Sequence, residues 1–217
     1  MFGKVKNSEI VKAYIKKADE SMEAIGYTEH SFAHCSLVAE TTGKILLSMG
    51  YDEHTAELGR ISGYMHDIGN VINRNNHAQS GALIALSILE KMNFEIEDIT
   101  KIITAIGNHD ETCAFPVNEI AAALILADKC DVRRTRVRNK KDVVADIHDR
   151  VNFSVKEAKL KINDAKTEIQ LRLGIDTTIC PVSEYFEIFL ERMILCRKAA
   201  TKLGLVFSLR INGQRLM

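Results

Sequence analysis

The chain reads as a mainly α protein, an irregular helical bundle followed by a small C-terminal antiparallel β-sheet packed on one helix. Three observations predict this class. Only two prolines, at 116 and 181, interrupt 217 residues. Apolar residues recur at three- and four-residue spacing up to about residue 150, and strict alternation replaces that spacing afterwards. The connections between periodic stretches are short, which favours antiparallel neighbours.

The elements follow in order. Ile10, Tyr14, Ala18, Met22 and Ile25 form one helical stripe, stopped by Gly26. Val38, Ala39, Thr42, Ile45, Leu46 and Met49 share a face of a second helix that Gly50 ends. Asp52 can cap a third, running through Ala56 and Ile61 to Met65 and His66. Asn76 can cap a fourth, with Gly81, Ala82, Ile84, Ala85, Ile88 and Leu89 inside. A fifth runs from about Glu97 to Asn108, and Asn118 opens a sixth, "NEIAAALILADKC". Beyond residue 150, "FSVKEAKLKI" and "TEIQLRLGI" read as strands joined by a hairpin turn at "NDAKT". Pro181 precedes the helix "SEYFEIFLERMILCRKAATKL", and "LVFSLRING" alternates again. The expected division is a helical domain over 1–150 and a hairpin, helix and strand extension over 151–217.

Composition narrows the setting. Apolar residues are 46% and charged residues 27%, the balance of a globular protein. Lys+Arg and Asp+Glu are equal at 29 each, so no global field calls for nucleic acid or an acidic membrane. No apolar run reaches the ~20 residues of a membrane span. The amino terminus lacks a signal-peptide pattern, and five cysteines without paired spacing suit reduced thiols. The expected address is the cytoplasm.

Chemistry concentrates in histidines and aspartates at helix ends. His34 opens the second helix, His66 and Asp67 end the third, and His77 begins the fourth. His109 follows the fifth, and Asp128 lies within the apolar sixth, where an unpartnered carboxylate would be costly. A single histidine at a helix terminus is more often a cap or a surface group. Six such residues on five helices have one common explanation, a transition-metal centre with room for two ions. No His-Glu-x-x-His pair is present, which excludes a zinc-protease helix.

The order His34, His66-Asp67, His77, His109, Asp128, with "HCSLVAE", "MHDIGN", "HAQSGALI", "AIGNHDE" and "LILADKCD" around it, resembles the HD superfamily of metal-dependent phosphohydrolases. The resemblance spans roughly residues 30 to 135. It implies an HD-type bundle in which His34, His66, Asp67 and Asp128 bind one ion. His77 and His109 would complete a second site, with Asp67 shared, and His66 and Asp67 stand at the reacting centre. The ions implied are one or two divalent Fe, Mn, Co or Zn, activating water toward a phosphate ester or anhydride of a nucleotide-like small molecule. Cyclic-dinucleotide members usually carry paired histidines where this chain has Asn108-His109, a Gly-Tyr-Pro signature, and "HDIGK" where this chain has "HDIGN". The text looks closer to the branch that cleaves dinucleoside polyphosphates. The alternative is a metal-containing regulatory or binding protein with little catalysis.

Lys129, Arg133 and Arg74 are candidate phosphate contacts. The remainder of "KCDVRRTRVRNKK" reads as a solvated face; with no aromatic interleaved, nucleic acid is the less favoured partner. His30 and His54 are expected to be exposed and without a role, and His148-Asp149 to be unrelated to the centre. Cys35, Cys113 and Cys130 read as packing residues. The helix "SEYFEIFLERMILC" reads as packing or as a homodimer face, and no membrane partner is expected.

Overall fold

The computed structural model describes residues 1–112, 114–138 and 147–217. Cys113 and the end of the basic run, from Asn139 to Lys141, lie outside the described residues. The first part is helical: α1 (Phe2–Lys6), α2 (Glu9–Ala24), α3 (Phe32–Ser48), α4 (Glu53–Met65), α5 (His77–Lys91), α6 (Ile96–Gly107), α7 (Glu119–Lys129) and α8 (Ile147–Ser154). A 3-10 turn, Ile68–Val71, links α4 to α5. Among the described residues no helix is long and apolar enough to cross a membrane.

The sixth periodic stretch becomes the centre of the molecule. Every residue of α7 from Ile120 to Lys129 is buried. A helix apolar all round needs neighbours on every side, and α3, α4, α6 and α9 (Val182–Lys202) supply them. Its start is fixed by Asn118, whose side chain accepts from the Ala121 amide at 2.8 Å. Asp52 caps α4 in the same way, through the Thr55 amide.

Two expectations are corrected here. The inward face of α2 is Val11, Ile15, Ala18 and Met22, because this stripe packs on the 3-10 turn; Ile10 and Ile25 are exposed. Asn76 precedes α5 but does not cap it. Its φ of 60° is left-handed, which turns the chain sharply and leaves the side chain without a cap bond.

The carboxy-terminal segment holds β1 (Val155–Ile162), β2 (Glu168–Ile175), α9, β3 (Val206–Ile211) and β4 (Gln214–Arg215) in one sheet of order β1-β2-β3-β4. The sheet is mixed, not wholly antiparallel. β1 and β2 form the expected hairpin, but β2 and β3 run parallel, with Leu171 opposite Leu209. Parallel neighbours need a crossover, and α9 is that crossover. Ile169, Leu171 and Leu173 of β2 and Phe207, Leu209 and Ile211 of β3 join Phe189, Met193 and Cys196 of α9 in the core that also contains α7.

Candidate metal centre

Five helix ends converge on one buried cluster. His34 lies in the first turn of α3, His66 just past α4, His77 at the start of α5, His109 two residues past α6, and Asp128 near the end of α7. All four imidazoles are at most 1% exposed. Two glycines make the approach close enough. A Cβ on Gly63 would stand 2.8 Å from the Ala39 Cα, so α3 and α4 touch backbone to backbone. A Cβ on Gly69 would stand 1.9 Å from the His77 carbonyl oxygen and 2.5 Å from the Gly81 nitrogen. The glycine of "MHDIG" is thus what lets the turn after Asp67 lie against the start of α5.

The ring nitrogens divide by role. His66 Nδ1 faces the Gly63 carbonyl at 2.8 Å, His77 Nδ1 the Arg74 carbonyl at 3.0 Å, and His109 Nδ1 the Ile106 carbonyl at 2.6 Å. His34 Nδ1 faces Asp131 Oδ2 at 2.7 Å. A carbonyl or carboxylate only accepts, so each Nδ1 carries a hydrogen and each Nε2 is the nitrogen turned into the cluster. Those Nε2 atoms face one another. His34 and His66 Nε2 are 3.3 Å apart, and His77 and His109 Nε2 are 3.2 Å apart.

Two carboxylates complete the cluster. Asp128 Oδ1 lies 3.4 Å from His34 Nε2 and 3.6 Å from His66 Nε2. Asp67 is shared between the two histidine pairs. Its Oδ2 is 3.0 Å from His66 and 3.7 Å from His34, while its Oδ1 is 3.4 Å from His77 and 3.9 Å from His109. Ligand atoms of His34, His66 and Asp128 lie within 4.8 Å of one another, as do those of His66, Asp67 and His109. Ring nitrogens and carboxylate oxygens gathered this tightly call for positive charge among them, from a proton or from a cation. Such a donor set fits divalent Zn, Fe, Mn or Co.

The electrostatics place that call for positive charge at His66. Burial depresses His66, but Asp67 and Asp128 outweigh it and bring it up to about 10. Burial raises Asp67, yet the positive charge drawn to His66 holds it well below the carboxylate range. Burial keeps His77 and His109 below the usual imidazole value, and therefore neutral.

Residues 31–152 match the HD domain family, more than half of the chain. The chain belongs to the HD domain family. An uncharacterized protein, MJ1020, of Methanocaldococcus jannaschii is 26% identical over 206 residues, covering 83% of this chain and 78% of that protein.

Around the HD cluster lies a cavity of about 800 Å³ that Asp67, His77 and Asp128 line. Of the three expected phosphate contacts, Lys129 and Arg74 line it and Arg133 is not among the lining residues. Arg133 instead closes its fork on Asp131, Nε on Oδ1 and Nη2 on Oδ2. Lys129 is buried, 2.7 Å from Asp128 Oδ2 and 2.6 Å from Glu111 Oε2, the latter an ion pair not aligned as a hydrogen bond. Arg74 Nη1 lies 3.3 Å from His77 Nε2 and 4.0 Å from Asp67 Oδ1. Asn70, the missing cation of "HDIGN", donates to Asp67 Oδ1 at 3.0 Å and to its backbone oxygen at 2.9 Å, fixing that carboxylate.

Three residues escaped the sequence reading. His30 is buried, not exposed; its Nδ1 faces the Thr28 carbonyl and its Nε2 lies 3.9 Å from Asp67 Oδ2. Its four-residue spacing to His34 was an available signal. Asp131 orients His34 across 97 residues of chain, and nothing in the basic run around it signalled that partner. Asp110, beside His109, is buried on the cavity wall. His148 and Asp149 are not remote either: α8 packs on α9 and brings both to the cavity. His54 does stand apart, paired with Asp98 at 2.8 Å with its side chain 50% exposed.

Proposed function

We propose that this HD protein is a metal-dependent phosphohydrolase acting on a phosphate ester or anhydride of a nucleotide-like small molecule. The observation that carries the reading is the division of Asp67, one oxygen facing His34 and His66 and the other facing His77 and His109. His34, His66, Asp67 and Asp128 would hold one divalent ion, and Asp67, His77 and His109 a second. A divalent ion there supplies Lewis acidity toward a phosphoryl oxygen and lowers the pKa of water.

The chain's own groups do the rest. Asn70 holds Asp67 in its shared orientation, and Asp131 holds His34. Lys129 pins Asp128 Oδ2, which leaves Oδ1 toward the histidines. Arg74 offers a guanidinium to substrate oxygens beside His77. Burial keeps His30 well below the imidazole range, so its Nε2 is an acceptor on the cavity wall, suited to orient a water hydrogen. Dinucleoside polyphosphates are the favoured substrates over cyclic dinucleotides, since the paired histidines and the Gly-Tyr-Pro text are absent.

The test joins metal analysis to turnover. Protein purified without chelator should carry one or two transition-metal ions per chain and release phosphate or nucleotide from dinucleoside polyphosphates with Mn, Fe, Co or Zn. Asp67→Ala should lose both metal and turnover. A metal-replete preparation that retains no ion removes the proposal, and strong turnover of a cyclic dinucleotide reverses the substrate preference.

A further inference from the structure

Beyond the matched residues 31–152, α9 adds two side chains to the same cavity, Phe189 and Arg192. Their three-residue spacing places them on one helix face. The Arg192 guanidinium carbon stands 4.7 Å from the Phe189 ring centroid, and its Nε donates to Glu111 Oε1 at 2.8 Å. Stacking on one face and pairing at Nε leave the group little freedom. Nε is the one Arg192 nitrogen with a hydrogen bond among the described residues, and the side chain is 26% exposed. Arg133 supplies the contrast inside the same molecule, since its Nε and Nη2 both close on Asp131. Guanidinium groups that brace a carboxylate frequently fork onto it in that way. Arg192 touches Glu111 through its inner nitrogen and keeps both terminal amino groups for another acceptor.

We infer that Arg192 is an anion-binding residue of the site, taking a phosphoryl oxygen of the substrate through Nη1 and Nη2. Glu111 and Lys129 stand between it and Asp128, so it meets a part of the substrate other than the one beside the histidines. The carboxy-terminal extension thereby supplies part of the substrate-binding wall. This inference rests on the phosphohydrolase reading.

The experiment is a calorimetric titration of the full-length, Mn-loaded protein with methylenediphosphonate, whose P–C–P bridge resists hydrolysis. Arg192→Gln should weaken binding about 10-fold or more, as loss of a charged hydrogen-bonding partner does. Arg192→Lys should fall between the two, keeping charge without the planar fork. Metal content should match the wild type in both variants, and Arg192→Lys, which keeps a cation beside Glu111, should keep the wild-type melting temperature. Equal binding by the wild type and Arg192→Gln overturns the assignment alone. Loss of metal in both variants, or binding by Arg192→Lys as weak as by Arg192→Gln with both melting temperatures lowered alike, also overturns it, in favour of a purely structural brace. No binding by the wild type itself overturns it together with the phosphohydrolase reading.

Discussion

Gly69→Ala is a one-carbon change whose effect can be worked through. The added Cβ would lie 1.9 Å from the His77 carbonyl oxygen, 2.5 Å from the Gly81 nitrogen and 2.7 Å from Ser80 Oγ. Two of these three are backbone, so no rotamer change relieves them. Real Cβ atoms essentially never approach closer than 3.0 Å, so the turn and the start of α5 must separate by roughly 1 Å. Overpacking of this kind costs about 3 kcal/mol. At 2–4 °C per kcal/mol for a domain of this size, melting should fall by roughly 6–12 °C. The same separation moves Asp67 away from His77, and disturbing the support of metal ligands costs about 10–100-fold in affinity. Thermal melting and a metal-competition titration read the two effects. Gly3→Ala, within α1 and with nothing inside 4 Å of the new Cβ, is the control; it should lower neither, since an unhindered helical Gly→Ala is neutral to stabilising. A Gly69→Ala protein with wild-type melting and metal affinity would refute the close-approach argument.

Two further outcomes follow from the same geometry. Asp131→Asn removes the charge that orients His34 and should weaken metal binding by about 10-fold with the six inner residues intact; unchanged affinity in a competition assay would show that His34 needs no such support. Glu111→Gln should cost about 3 kcal/mol at pH 7 in denaturant unfolding, since it leaves Lys129 and Arg192 short of a buried partner. Burial raises Glu111, but Lys129 and Arg192 outweigh it and depress it, so its contribution is complete above the unfolded glutamate value of about 4.3 and is lost as pH falls through the folded value. The gap between wild type and variant should therefore narrow below about pH 4, and a gap independent of pH would contradict the ion pairing.

Legibility in the sequence followed the range of each interaction. α3 to α7 were readable because caps and three-to-four spacing are local, and Asp52 and Asn118 cap as their positions suggested. The six histidines and aspartates were readable as a set because their motifs are local too. What escaped depends on distant chain. The parallel pairing of β2 with β3 is invisible in alternation, although a 21-residue helix between two strands was a crossover signal. Asp131 and Arg133 are two residues apart in one basic run, and nothing in that run says that they satisfy each other. Arg192 sits in a helix that reads as packing, and only the fold shows that its face meets the cavity. The five-residue α1 and the eight-residue α8 are too short for periodicity to declare.

The bonds behind the imidazoles also imply an order of assembly. His66, His77 and His109 each lean on a carbonyl three residues back in their own turn, so forming that turn is enough to aim the ring. His34 has no such local prop. Its ring is aimed by Asp131, and that residue arrives only when the end of α7 has come to rest beside α3. Three of the four rings can thus be set while the chain is still condensing, and the fourth waits for its last helices. The metal centre closes when the domain does.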